Sequence, residues 1–200
     1  PVALVAADAA RQVSRPPRSG SEHAETLLTQ LSHLFEELTD TVDTAATRSG
    51  AGLLAAGAPA SDLVTLLDRV SIWHRRRSLV VLITDTAHPD PVLAPRVVDL
   101  LRRLSAQHEL TVIQIEDDDP LAPGRAHDIE LSGEVPAFLR EDRALAARVS
   151  QQVLARRAAV TGALDARHIE YVTITDDASL VDRIADLLAR QRLASSKRRR

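Results

Sequence analysis

The stretch Leu79-Val80-Val81-Leu82-Ile83-Thr84-Asp85 decides the fold. Its five consecutive apolar residues suit a central parallel strand covered on both faces, and Thr84-Asp85 ends it. Downstream comes a loop with Pro89 and Pro91, then a helical stretch from Val92 to Gln107 carrying Val97, Leu100, Leu101 and Leu104 at helical spacing. A second mostly apolar strand, Leu110 to Ile115, runs into the four acids Glu116 to Asp119. Pro120, Pro123 and Gly124 break the chain, and Ile129 to Val135, centred on Gly133, reads as a small hairpin or an irregular excursion. A long helix is expected from about Glu141 to Leu164, and a third strand from His168 to Ile174. Ser179 and Asp182 then form a capping box before Leu180, Ile184, Leu187 and Leu188.

Upstream, Leu63, Leu66, Leu67 and Val70 share one helical face. Ser61 or Asp62 starts that helix as its cap, and Arg75 to Arg77 close it on its negative end. A short strand at Leu53-Leu54 fits between glycines, and Thr39 to Ser49 is polar with weak helical tendency. Glu22 to Leu38 is an amphipathic helix built on Leu27, Leu31, Leu34 and Leu38. Val2 to Val5 suits a buried strand, with Gln12 to Ser14 as its neighbour.

Alternation of strands and helices specifies an α/β fold: a mostly parallel open sheet with helices on both faces. Two hundred residues suit one domain, expected over 1–190, with a basic flexible tail at 191–200. No cysteine is present, which removes disulfides, thiolate nucleophiles and cysteine metal sites. The net charge of −3 and an aromatic stock of Trp73, Tyr171, Phe35 and Phe138 argue against a nucleic-acid binder. No window approaches the roughly 18 apolar residues of a membrane span. Neither a Gly-x-Ser-x-Gly elbow, a Gly-x-Gly-x-x-Gly fingerprint nor a phosphate-binding Walker loop occurs, and the histidines are scattered rather than clustered.

LVVLITD at 79–85, LTVIQIEDDDP at 110–120 and HIEYVTITDD at 168–177, spaced by these helices, resemble the C-terminal half of the bacterial "domain of unknown function 58" family. That half is similar to von Willebrand factor A domains. VALVAADAARQVSRPPRSG at 2–20 looks like the family's second strand, hairpin partner and following loop. Domains of the von Willebrand type hold a divalent cation with an Asp-x-Ser-x-Ser loop, a threonine from a second loop and an aspartate ending the fourth strand. Asp85 matches that last aspartate, and Ser61, with Asp62 beside it, falls where the threonine loop belongs. No Asp-x-Ser-x-Ser occurs in these 200 residues. The expectation is a domain truncated at its N-terminus, with a degenerate site as the alternative.

The resemblance implies a non-enzymatic interaction or adaptor module working with a MoxR-type AAA+ ATPase in protein assembly or maturation, with Mg²⁺ as the implied cation. It further implies a cytoplasmic setting, alone or as the cytosolic part of a membrane-anchored protein. A structural scaffold without a metal role, and a hydrolytic or nucleotide-binding α/β enzyme, are the competing readings.

Asp85 and Ser61 are therefore the candidate metal ligands, with Asp62, Thr84 and His88 around them. A carboxylate at the carboxyl end of a parallel strand faces the crevice where open sheets place ligands. Glu116, Asp117, Asp118, Asp176 and Asp177 follow two strands at the same end and form a candidate acidic docking rim. The arginines of the long helix, Arg156 and Arg157 among them, are expected on a solvated face.

Overall fold

The computed structural model describes residues 1–8, 10–48, 61–73, 76–116, 127–128, 133–134, 143–176 and 178–197. Two compact units divide the chain: Pro1–Trp73 with Asp119–Arg148, and His74–Asp118 with Val149–Arg200.

In the first unit, β1 (Val2–Ala7) and β2 (Gln12–Arg18) form an antiparallel hairpin. Asp8 folds its turn: Oδ1 accepts the N–H groups of Ala10 at 2.7 Å and Arg11 at 2.6 Å. The register runs Leu4 opposite Arg15 but Val2 opposite Arg18. Pro16 and Pro17 thus oppose the single residue Ala3, a bulge where proline's missing N–H does least harm. β1 is a strand as expected, but its start is not buried, since Val2 is exposed.

Gly20, at φ +109°, turns the chain into α1 (Ser21–Arg48), whose Leu27 is buried. The helix runs well past Leu38, because the Thr- and Asp-rich stretch carries no glycine or proline to stop it. α2 (Leu63–Trp73) packs on β1 and buries Leu63 and Leu67. Asp62 is its cap, accepting the N–H of Thr65 at 3.0 Å. Arg76 and Arg77 lie beyond the helix, which ends at Trp73 with the Arg69 guanidinium 5.3 Å from the indole centroid. The Leu53-Leu54 strand falls outside the described residues.

The excursion contains two short paired strands, β5 (His127–Asp128) and β6 (Gly133–Glu134), antiparallel as a hairpin requires.

The second unit holds the parallel sheet, in the order β3 (Leu79–Asp85), β4 (Glu109–Ile115), β7 (Glu170–Ile174). Leu79 pairs with Glu109 and Asp85 with Ile115; Thr111 pairs with Glu170 and Ile115 with Ile174. β4 is buried on both faces, Leu110, Val112 and Gln114 pointing one way, Thr111 and Ile113 the other. α3 (Pro95–Gln107) packs on β4, and α5 (Leu180–Lys197) packs on β7. Ile113, Ile174 and Leu187 form a buried cluster there, flanked by Val172, Leu180 and Ile184. α4 (Arg143–Asp165) adds buried Val160, Ala163 and Leu164.

Three expectations are corrected in this unit. β3 is parallel but not central: among the described residues it is the edge strand, and Leu79, Val81 and Ile83 on one of its faces are 49%, 44% and 63% exposed. α3 starts at Pro95 rather than Val92, because proline at the first helical position disfavours helical backbone just before it. At α5, the Ser179 hydroxyl bonds Asp176 at 3.0 Å and accepts from Arg183 at 3.2 Å. It does not make the reciprocal capping box expected with Asp182.

Candidate functional site

The carboxyl end of β3 is where the expected site residues stand closest to a built structure. Asp85 is the strand's last residue, and its carboxylate closes the following turn. Oδ1 accepts the N–H of Ala87 at 2.7 Å, and Nδ1 of His88 lies 2.9 and 3.0 Å from the two oxygens. Gln114, on the neighbouring strand and almost fully buried, donates from Nε2 to the His88 carbonyl at 3.1 Å. The next bond, His88-Pro89, is cis, and Pro89 is fully buried.

Asp90 carries the second half of the loop. Its Oδ1 accepts the N–H groups of Val92 at 2.8 Å and Leu93 at 2.9 Å. Its Oδ2 takes the Nε of Arg156 at 2.8 Å, so a loop carboxylate is bolted to the long helix. Arg157 pairs with Glu116 just beyond β4. The solvated-face expectation for these two arginines is thereby corrected: both reach carboxylates at the carboxyl end of the sheet. Asp90, Arg156 and Gln114 are the residues that sequence reasoning missed. An aspartate between Pro89 and Pro91 is a turn signal, and it was the available clue.

The loop so held presents Val92 and Leu93 outward, 79% and 73% exposed. Their backbone N–H groups are satisfied by Asp90, while among the described residues their side chains are left exposed. Apolar groups on a fixed backbone suit an interface, because their burial is favourable and little ordering entropy remains to be lost on binding.

Both carboxylates are tuned by these contacts. Burial pushes the Asp85 carboxyl up, but the hydrogen bond and charge of His88, the Ala87 N–H and the Arg156 charge outweigh it and leave it below the ordinary value. At Asp90 the Leu93 N–H leads; burial opposes it, and the Val92 N–H and Arg156 bring the carboxyl down as well. A carboxyl held low in the native state stabilises fully above its unfolded pKa, and that contribution is lost as pH falls through the native value. Thermal stability of the sheet unit should hold from neutrality to about pH 5 and fall below about pH 4. Asp90→Asn should flatten that acid limb in a melting-temperature series, and an unchanged limb would count against the Asp90 brace.

The other expected residues each serve their own element. Ser61 and Asp62 belong to the first unit, where Ser61 bridges to Asp8 and Asp62 caps α2. Thr84 is a strand residue in register with Gln114. Asp176 accepts the Ser179 N–H at 2.8 Å and the Thr175 hydroxyl at 3.0 Å, shaping the entry to α5. Asp117, Asp118 and Asp177 lie outside the described residues.

Toward a Mg²⁺ ion the described residues of this loop offer the Asp85 carboxylate. That cation asks for near-octahedral oxygen ligands, and here both carboxylate oxygens are engaged by His88. Among the described residues no three His, Cys, Asp or Glu side chains come together as a metal group. No helix of the described residues is long and apolar enough to cross a membrane.

Among curated proteins and among solved structures, nothing matches the chain. A family model does match, over residues 1–159, covering the hairpin, both strands that carry the loop and most of the long helix that braces it. The chain belongs to the family described as "Protein of unknown function DUF58", with the α/β, von Willebrand factor A-like architecture that its parallel sheet and flanking helices display.

Proposed function

We propose that this chain is a non-enzymatic protein-interaction module that docks its partner at the carboxyl end of the parallel sheet, with Val92 and Leu93 as the anchor. The observation that carries this reading is the exposure of those two side chains on a loop whose backbone is fixed by Asp90, Gln114 and Arg156. Acidic groups follow all three strands, from Asp85 and Asp90 through Glu116 to Asp176. An apolar anchor with such a rim suits a partner pocket edged by basic residues. The partner we infer is a MoxR-type AAA+ ATPase, for which this module serves as an adaptor on the cytosolic side in protein assembly or maturation.

In this reading docking needs no divalent cation, because the anchor is apolar and the Asp85 carboxylate serves to hold the loop. Binding is measured by pulldown and by titration of the ATPase with the intact chain. Val92→Ser with Leu93→Ser should weaken it by about a hundredfold, since burying a large aliphatic side chain is worth about 1.5–3 kcal/mol and each 1.4 kcal/mol is tenfold. Val181→Ser, a similarly exposed position on α5, should leave it unchanged, and so should a chelator. Full binding by the double variant would overturn the anchor, loss of binding on chelation would restore the cation to the site, and no association by the native chain would remove the partner.

A further inference from the structure

The amino ends of the parallel strands gather two basic runs that lie far apart in sequence. His74-Arg75-Arg76-Arg77 leads into β3, and Arg76 and Arg77 are exposed there. The second run, from Arg190 to Arg200, holds six basic residues and no acid. Side-chain contacts fix the course of α5, which delivers it. Arg183, near the helix start, donates to the Thr173 carbonyl at 2.9 Å, close to the end of β7. Arg190, two turns on, lies 3.7 Å from Glu170, the first residue of that strand. The helix therefore runs back along β7 and reaches the amino border of the sheet at Arg190. Its remaining residues, 191–197, carry Arg192 and Lys197 on by about 10 Å. Only β4 separates β7 from β3, so the two runs start about 10 Å apart. Arg167, three residues ahead of β7, adds to them. Of the acids at this border, Glu109 and Glu170 are each matched by an arginine, Arg77 at 3.5 Å and Arg190 at 3.7 Å.

We propose that the amino border of the parallel sheet rests on an anionic lipid bilayer, with the runs at 74–77 and 190–200 as its contacts. Clusters of four to eight lysines and arginines bind acidic headgroups, and here two such runs serve one border. The charge of this unit is directional. The chain as a whole is at −3, and acids follow the strands at the opposite, carboxyl end. A planar anionic surface therefore attracts one end of the sheet and repels the other. The shortage of aromatic side chains removes the stacking that a single-stranded nucleic acid would use in its place. This border is made by the starts of the strands rather than by the flank of β3, so a strand lying alongside β3 leaves it where it is. The inference is independent of the docking reading: on a bilayer the Val92-Leu93 loop stands at the far end of β3, about 23 Å of strand away from the lipid.

The test is co-sedimentation of the full chain with vesicles of phosphatidylglycerol and phosphatidylcholine, set against vesicles of phosphatidylcholine alone. The native chain should bind the mixed vesicles, come off as salt is raised, and ignore the neutral ones. A basic residue close to such a surface is worth about fivefold in partitioning. Arg76→Gln with Arg77→Gln should therefore weaken binding by about 25-fold, and so should Arg192→Gln with Lys197→Gln. All four changes together should multiply the two losses, because both runs meet one plane. Val181→Lys adds a charge at the start of α5, away from this border, and should leave binding unchanged. Equal binding to neutral vesicles, or no binding to the mixed ones at low salt, overturns the proposal. So does undiminished binding by either pair of variants, which would leave a single run in contact. Displacement of the bound chain by polyglutamate or duplex DNA at matching charge would give the border to a soluble polyanion and overturn it as well.

Discussion

Replacing Asp90 by alanine should cost the sheet unit about 2–3 kcal/mol, and loosen the docking loop at the same time. The carboxylate accepts two backbone N–H groups and the Nε of Arg156, all at 2.8–2.9 Å, from a buried position. Ordinary hydrogen bonds contribute about 1 kcal/mol net and those to a charged group about 1.5–3. The total is not the simple sum. Val92 and Leu93 lie in a surface turn whose N–H groups can find water, and Arg156 is partly exposed and can be rehydrated. The midpoint of urea unfolding should fall with little change in slope, the pattern of lost stability in an otherwise unchanged native state. Partner binding should weaken too, since the anchor then pays to be ordered. Arg156→Lys separates the contributions: it keeps a charge near Asp90 but not the planar donor fork, and should recover part of the stability. An Asp90→Ala chain as stable as the native one would show that the loop is held by Pro89 and Gln114 alone.

Leu187→Ala is the second large effect, at about 3 kcal/mol. Leu187 is 1% exposed and closes the cluster of Ile113 and Ile174 under α5. Removing it takes away the transfer energy of the buried methyl groups and leaves a cavity between helix and sheet; such truncations cost about 2–5 kcal/mol. The estimate sits in the lower half because Leu180 and Ile184 border the cluster and are only partly buried, with room to relax into the gap. Its neighbour provides the control. Leu188 is 40% exposed, so Leu188→Ala should stay below about 1 kcal/mol. Equal losses at the two positions would mean that α5 does not pack on the sheet through the face described.

The strands of the parallel sheet were legible because their apolar runs are short, dense and end in acids: LVVLITD and LTVIQI each lie within one residue of β3 and β4. The class of the fold followed from the helices between them. What a run of apolar residues does not encode is how many neighbours it has. The same five residues read as a central strand, yet among the described residues β3 has one pairing partner, because burial depends on what is brought alongside. Helix ends were missed where local chemistry competes with periodicity. Val92 fits the apolar stripe of α3, but Asp90 captures its N–H and Pro95 sets the first turn, so the stripe starts later than its spacing suggests. Of the site, Asp85 and His88 were legible as neighbours three residues apart, and they meet. The Arg156 link to Asp90 spans 66 residues of chain, and no local pattern announces a pairing of that range.

The two prolines of β2 bear on how this protein behaves when it is crowded. Neither carries an N–H, and the bulge gathers both gaps at one point of the strand, where regular alternation is already broken. A further strand laid along β2 would meet a kinked stretch short of donors there, which disfavours the stacking of added chains on the hairpin.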